Sequence, residues 1–190
     1  MPQPDHIHVL PVPEISDLDE DLQKYFRICE EKLGLIPNVL RSYTLRPDRL
    51  RRFIDSYNEI MLADSGLSKL EREMIAVTVS SCNRCYYCLV AHGQAVRQLS
   101  GDPQLGEMLV MNYRVAELDR RQRAMLDFAW KMTETPSATT QADRQALFDA
   151  GFSEAEYFDL CETVSFFNMT NRMAHGLDMM PNASYHALDR

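Results

Sequence analysis

The sequence predicts a single-domain, all-α helical bundle, and three observations lead to this prediction. Apolar residues recur at spacings of three and four along most of the chain, as they do on the buried face of a helix. Capping sequences of the form Ser-x-x-Glu and isolated glycines supply start and stop signals between these stretches. The 190 residues, 45% apolar and 25% charged, are enough to form one core.

The first half of the chain divides into an arm and several helices. Residues 1–15 contain four prolines and predict an extended arm that either lies across a neighbouring subunit or frays, so the folded domain spans 16–190. The first helix is expected to begin at a Ser16 cap and to end at Gly34. Its buried face comprises Leu18, Leu22, Phe26, Cys29 and Leu33.

The next elements are also predicted as helices. Pro37 opens a short helix that stops near Pro47, and a longer helix ends before Gly66. Ser68 and Glu71 form a capping box for the helix that follows. The β-branched run 77–79 within it lacks strand alternation, so a buried helix is predicted. Further helices are expected at 84–99, 103–113, 119–134, 140–149 and 153–179.

The charge balance and the cysteine usage exclude several classes of protein. With 20 Lys and Arg against 28 Asp and Glu, the net charge of −8 repels nucleic acid and anionic membrane surfaces. The chain has no cationic leader and no apolar run of about eighteen residues. Five cysteines, three of them within seven residues, do not match a secreted disulfide framework. We therefore expect a soluble cytoplasmic protein with no nucleic acid or membrane partner.

A weak internal repeat predicts a duplicated helical unit. The sequence "GLSKLERE" at 66–73 resembles "GFSEAEYF" at 151–158, and "AHG" at 91–93 recurs at 174–176. The hypothesis is that the chain contains two similar helical hairpins, one chemically active and one structural. Aligning the two triplets pairs Cys85 with Asn168, Cys88 with Asn171 and His92 with His175.

The sequence "CNRCYYCLVAHG" at 82–93 concentrates the reactive side chains. If Asn83 caps a helix, then Cys85, Cys88 and His92 share one face of it. Amides at a helix start favour a thiolate, and an imidazole one turn away can accept a thiol proton. Two thiols three residues apart can also close a disulfide. This spacing suits a cycle in which one thiolate attacks an oxidised substrate and the other resolves the sulfenic acid.

This segment has three other interpretations. Zinc would require a second pair of ligands, which the remaining cysteines and histidines do not supply. The run from Cys82 to His92 mimics an iron–sulfur motif, but a continuous helix would separate Cys82 and Cys88 by about 9 Å along its axis. Buried, unreactive cysteines are the third alternative. We predict that the protein binds no metal and no cofactor.

Glu73 lies twelve residues before Cys85 on the preceding helix, so an antiparallel return would bring it beside His92. A carboxylate that is hydrogen-bonded to a histidine raises its basicity and fixes its tautomer, which makes a proton relay from thiol to imidazole workable. A solvated helix face is the alternative for Glu73 considered by itself.

The combined pattern Glu73-x11-Cys85-x2-Cys88-x3-His92 resembles that of the AhpD-like alkyl hydroperoxidases of the carboxymuconolactone decarboxylase superfamily. The resemblance implies an all-helical fold, assembly into homo-oligomers and reduction of hydroperoxides. By motif position, Cys88 would attack the peroxide, Cys85 would be the resolving thiol exposed to an electron donor, and Glu73 with His92 would relay protons. Three further segments resemble the longer, peroxidase-related branch of this superfamily. They are "LGLIPNVLRSYTLRPDRL" at 33–50, "RAMLDFAWKMTETPSA" at 123–138 and "FNMTNRMAH" at 167–175.

Two features depart from this family pattern. Tyr86 and Tyr87 stand between the paired cysteines, where well-studied members carry polar residues that include a histidine. Cys82 is an additional thiol, either a bystander or the partner of Cys85 in an alternative disulfide.

The function expected from these features is a thiol-dependent peroxidase. It would reduce an organic hydroperoxide or hydrogen peroxide, draw electrons from a thiol or dithiol donor, and form a dimer, trimer or hexamer. A decarboxylase-like enzyme that acts on a lactone acid through Glu73 and His92 is one alternative. A non-catalytic redox sensor is the other.

Overall fold

The computed structural model describes residues 2–190. This part of the chain contains nine α-helices and no β-strand, which confirms the all-α prediction. The helices are α1 (Glu20–Leu33), α2 (Asn38–Ser42), α3 (Pro47–Leu62), α4 (Lys69–Cys82), α5 (Tyr86–Ser100), α6 (Pro103–Asn112), α7 (Arg120–Glu134), α8 (Gln141–Asp149) and α9 (Glu154–Leu177). Within this part, no helix combines the length and apolar character needed to cross a membrane.

Helix α4 lies at the centre of the bundle and packs against α3, α5, α6, α7 and α9. Side chains from Glu71 to Ser80 are buried on every face of it. The β-branched run 77–79 is helical, as predicted, because neighbouring helices surround it and supply burial in place of a sheet. The central position of α4 brings Glu73 into the interior.

Two capping boxes start α4 and α9 as the sequence predicts. Ser68 pairs with Glu71 at the start of α4, and Ser153 pairs with Glu156 at the start of α9. Arg121 of α7 donates to both glutamates, at 2.9 Å and 2.8 Å. One guanidinium therefore connects the starts of three helices.

The start of the first helix differs from the prediction. Ser16 lies in a short 3-10 turn, Ile15–Asp17, and the N-cap of α1 is Asp19. The extended backbone at Asp19 separates the turn from the helix, and acidic residues in the first turn of α1 favour this start. The predicted end is confirmed, because Gly34 adopts the left-handed conformation with φ 70°.

The junction between α4 and α5 also differs from the prediction. Asn83 is the C-cap of α4, Arg84 takes a left-handed φ of 55°, and Cys85 becomes the N-cap of α5. The Cys85 amide donates to the carbonyl of Ser80 across this turn. Cys82 therefore ends α4 and does not share a helix with Cys85.

The second copy of the proposed repeat is not a hairpin, because residues 154–177 form one continuous helix. The arm packs on its own chain, beside the end of that helix. The Val9 amide donates to the Leu177 carbonyl and the Met180 amide to the Ile7 carbonyl, both at 3.0 Å. These bonds hold the arm and the C-terminal segment together over one side of α5.

Candidate functional site

Cys85 and Cys88 lie at the start of α5 in a small cluster with Tyr87, Ala174 and Met179. Both thiols are free, and their residues are 1% and 3% exposed. The expectation that Cys85 is exposed to an electron donor is therefore wrong for this chain by itself. Helix α9 and the segment after it cover the position, which spacing within α5 does not reveal.

The two thiols have opposite shifts in pKa. A hydrogen bond from the Cys88 thiol, an interaction with the Cys88 backbone amide, and the charges of His175 and His92 lower the pKa of Cys85 to about 7, against the opposing effect of burial. The same hydrogen bond to Cys85, together with burial, raises the pKa of Cys88 well above its ordinary value. Cys85 is therefore the thiol of the pair that ionises more readily, as its position at a helix N-terminus favours.

Glu73 and His92 meet as predicted. The Nδ1 atom of His92 lies 2.6 Å from Oε2 of Glu73. Because an ionised carboxylate only accepts hydrogen bonds, Nδ1 carries the hydrogen and Nε2 is left free. The edge-to-face packing of Phe167 on the imidazole, with ring centroids 4.7 Å apart, further restrains the ring. His92 stands one helical turn after Cys88 on α5.

A polar network behind Cys88 was missed by the sequence analysis. Asn83 donates to Asn171 Oδ1 at 2.9 Å, and Asn171 donates to Ser80 Oγ at 3.0 Å. Side-chain hydrogen bonds from Asn171 and Ser80 to Cys88 counteract part of the rise in its thiol pKa. A signal was present, because the triplet alignment pairs Asn171 with Cys88, but it does not show that the two residues touch.

His175 of α9 is a second histidine near the thiol pair. Its Nε2 atom lies 3.0 Å from the backbone oxygen of Asn83, so this nitrogen donates. A charge interaction with its ring contributes to the lowered pKa of Cys85. The repeat of "AHG" marked this residue, although no role was predicted for it.

The remaining residues of the motif differ in position and in burial. Burial and the charge of Glu134 raise the pKa of Cys82, which ends α4. Tyr87 is buried, and its hydroxyl accepts a hydrogen bond from the Val39 amide at 2.9 Å. Tyr86 is half-exposed. Within residues 2–190, no three His, Cys, Asp or Glu side chains are arranged to hold a metal ion.

A cavity of about 550 Å³ extends from this site between α1, α3, α4, α5 and α9. Cys88, His92 and Glu73 line its wall, and Cys88 is the member of the thiol pair that does so. The rest of the wall is largely apolar and aromatic. The arrangement joins a thiol, a proton carrier and space for an organic molecule.

Comparison with known proteins agrees with this geometry. The model of the carboxymuconolactone decarboxylase family matches residues 48–104, which include Glu73 and all of the thiol motif. A search of proteins with curated functions found no significant match. The apo structure of the debrominase Bmp8 is 19% identical over 98% of this chain and 97% of its own, with a TM-score of 0.79, and shares the fold.

Two other solved structures are much more similar. An uncharacterized peroxidase-related protein from Silicibacter sp. TM1040 is 57% identical over 100% of both chains, with a TM-score of 0.95. A second such protein, from Ralstonia eutropha JMP134 and described as an alkylhydroperoxidase AhpD core, is 37% identical over 98% of both chains, again with a TM-score of 0.95. The chain therefore belongs to the AhpD/carboxymuconolactone decarboxylase superfamily, among its peroxidase-related proteins.

Proposed function

We propose that the protein is a thiol-dependent peroxidase that reduces hydroperoxides through a disulfide between Cys85 and Cys88. The observation that carries the proposal is the hydrogen-bonded thiol pair, with Cys88 on the wall of a cavity that the Glu73–His92 pair also lines. The family and its peroxidase-related members support the same activity.

Peroxide reduction begins at Cys88. Its thiol gives a proton to His92, and the thiolate attacks the terminal oxygen of the hydroperoxide. An S–O bond forms, the O–O bond breaks, and the departing alkoxide takes the proton from His92 to leave as an alcohol. Cys88 is now a sulfenic acid. Glu73 stabilises the imidazolium during this exchange, because the carboxylate accepts the hydrogen on Nδ1.

Cys85 resolves the sulfenic acid. Its pKa of about 7 keeps a large thiolate fraction at neutral pH. The thiolate attacks the sulfur of Cys88, the S–S bond forms, and the S–O bond breaks. The leaving hydroxide combines with the proton that Cys85 released and becomes water. In sum, one hydroperoxide and two thiols yield one alcohol, one water and one disulfide.

An external thiol or dithiol supplies the two electrons and two protons that regenerate the pair. Because both cysteines are buried, this donor requires movement of the C-terminal segment that covers them. A reducing donor fits the cytoplasmic location expected from the sequence. We further propose a homo-oligomer, because large apolar side chains such as Met111 and Phe158 are exposed on the single chain. Light scattering after size-exclusion chromatography tests the assembly.

The family match also favours a second candidate, because the matched residues contain Glu73 and His92. A decarboxylase-like enzyme would use this pair for proton transfer to a lactone acid and would not require the thiols. The redox sensor differs from both candidates, because its disulfide would form without repeated turnover.

The test is peroxide turnover with cumene hydroperoxide and dithiothreitol. Cys88→Ser is expected to abolish turnover, and Cys85→Ser to leave a sulfenic acid on Cys88 that dimedone traps for mass spectrometry. Cys82→Ser, a change at the neighbouring thiol, serves as the control and retains turnover. Full activity of Cys88→Ser would overturn the proposal. A decarboxylase would tolerate Cys88→Ser and fail with His92→Ala.

A further inference from the structure

The cavity is a channel with one closed, reactive end and one open end. At the closed end, Cys88 is buried in a cluster with Ala174 and Met179. At the open end, the wall consists of leucines that are between 39% and 57% exposed. They come from the ends of α1, α3 and α5 and from the C-terminal segment: Leu33, Leu62, Leu99 and Leu188.

The channel is much larger than a molecule of hydrogen peroxide. Its volume of about 550 Å³ is in the range of cavities that hold drug-sized ligands. Cys88 and Leu99 lie eleven residues apart on α5, which corresponds to about 16 Å along the helix axis. An extended chain covers ~3.5 Å per three bonds, so roughly fourteen bonds span this distance. The length of this wall therefore suits an extended molecule.

Two lysines add positive charge at the open end. Lys32, in the last turn of α1, and Lys69, at the start of α4, both line the channel and are exposed. Neither forms a salt bridge within residues 2–190. Of the two carboxylates on the same wall, Glu73 binds His92, whereas Asp189 accepts from Gln94 and interacts through its charge with the nearby Arg97. In a chain with net charge −8, this end is a local site for an anion.

We propose that the channel binds a long-chain apolar hydroperoxide with an anionic end group. The hydroperoxyl group lies at Cys88, the apolar chain follows α5 past Ala95, and the anionic end lies between Lys32 and Lys69. The reaction of this ligand rests on the proposed function, whereas its binding rests on the channel alone. The two parts can therefore be tested separately.

Binding is tested by titrating the reduced protein with saturated fatty acids from octanoate to palmitate, below their micellar concentrations, in a calorimeter. Each methylene that enters the channel is expected to tighten binding about fourfold, until the channel is full and the affinity levels off. The Lys32→Met, Lys69→Met double variant should bind about fivefold more weakly. Lys24→Met, an exposed lysine of α1 outside the channel, is the matched control and should leave binding unchanged.

Replacing the acid by its methyl ester separates the anion site from the apolar channel. We expect weaker binding of the ester to the unaltered protein and equal binding of acid and ester to the double lysine variant. Affinity that is independent of chain length would overturn the proposal. Equal binding of acid and ester to the unaltered protein would overturn the role of the lysines.

Turnover is tested with linoleic acid hydroperoxide and hydrogen peroxide. Ala95→Phe obstructs the middle of the channel, and it should lower the ratio of kcat/KM for the long substrate to kcat/KM for hydrogen peroxide by about a hundredfold. If this variant misfolds, the chain-length series on the unaltered protein still tests whether the channel binds a long apolar chain. Fatty acid binding without turnover of any peroxide would remove the proposed function and leave the channel site standing. Turnover of both peroxides at equal kcat/KM, without fatty acid binding, would remove the channel site and leave the proposed function standing.

Discussion

His92 Nδ1 lies 2.6 Å from Glu73 Oε2, and the two side chains are only 14% and 9% exposed. The carboxylate comes from α4 and the imidazole from α5, so the pair depends on the packing of two antiparallel helices. With Nδ1 engaged, Nε2 is the nitrogen that can exchange a proton with the thiols. In the proposed cycle, the two residues act as a unit.

We expect Glu73→Gln and His92→Ala each to lower kcat/KM for cumene hydroperoxide by about a hundredfold, the lower range for general acid–base catalysis. The double variant should be little worse than either single variant, because the carboxylate acts through the imidazole. Glu59→Gln, on an exposed face of α3, is the control for loss of a carboxylate. Fully additive losses in the double variant would show that the two residues act independently.

The thiol pair predicts a specific pH dependence of alkylation. The pKa of Cys85 is lowered, so its thiolate fraction rises with pH and reaches half at about 7. The rate of its reaction with iodoacetamide should therefore increase from about pH 6 to about pH 8 and then level off. Cys88, with its raised pKa, should react only in strongly alkaline solution. Peptide mass mapping assigns each modified thiol.

Cys88→Ala provides the critical variant for this assignment. It removes the hydrogen bond that contributes most to the low pKa of Cys85, so the midpoint of Cys85 alkylation should move up toward that of an ordinary thiol. Cys82→Ser should leave the midpoint in place. An unchanged midpoint in Cys88→Ala would show that the helix N-terminus and the nearby histidines set the reactivity of Cys85.

Residue spacing was sufficient to predict the meeting of Glu73 and His92. Both lie on long helices joined by a short connection, so an antiparallel arrangement of the two helices places the two residues opposite each other. The sequence predicts Asn83 as the cap of the second helix, whereas the structure has Cys85 there, two residues later. The difference arises because Arg84 takes a left-handed conformation that usually marks a glycine, and no glycine in the sequence indicates this turn.

The contacts around the thiol pair that were not predicted depend on distant parts of the chain. Asn171 reaches Cys88 from α9, and Met179 covers the thiol pair after that helix has ended. Helical periodicity identifies a buried face, but it does not show which other helix packs against it. The burial of Cys85 was missed for this reason, because its cover comes from residues more than eighty positions away.

Asn171 is expected to position Cys88. Asn171→Ala removes its contact with the Cys88 thiol and its hydrogen bonds with Ser80 and Asn83, so the free energy of unfolding should fall by about 2 kcal/mol. Formation of sulfenic acid on Cys88 should slow as well, in a stopped-flow measurement below the unfolding temperature. Asn168→Ala is the matched control, because Asn168 belongs to the same network but bonds to Asn83 and Thr133. Equal slowing in both variants would indicate a purely structural effect.

Arg121→Met tests the connection between the capping boxes. Glu71 and Glu156 would lose their shared guanidinium, so we expect the free energy of unfolding at neutral pH to fall by about 2 kcal/mol in urea titrations. Arg120→Met, the exposed neighbour, should change it little.

The stability difference caused by Arg121 should depend on pH. Hydrogen bonds from the Ser153 backbone and side chain, and from Arg121, lower the pKa of Glu156 below its ordinary value of 4.5. The stabilisation is present above that value and is lost as the pH falls through the lower pKa of the folded state. The difference between Arg121→Met and the unaltered protein should therefore shrink in acid. A constant difference would assign the effect to packing on Phe152.

His175 and Cys88 lower the pKa of Cys85 by different physical means, and salt should separate them. The contribution of His175 is a charge interaction from an exposed ring, whereas that of Cys88 is a buried hydrogen bond. His175→Gln retains an amide donor for the Asn83 carbonyl and removes the positive charge. We expect it to raise the midpoint of Cys85 alkylation less than Cys88→Ala does. Raising the ionic strength to about 1 M, where the Debye length falls to about 3 Å, should abolish the effect of His175→Gln and preserve that of Cys88→Ala. An effect of His175→Gln that persists in high salt would mean that the ring acts through the structure around Asn83.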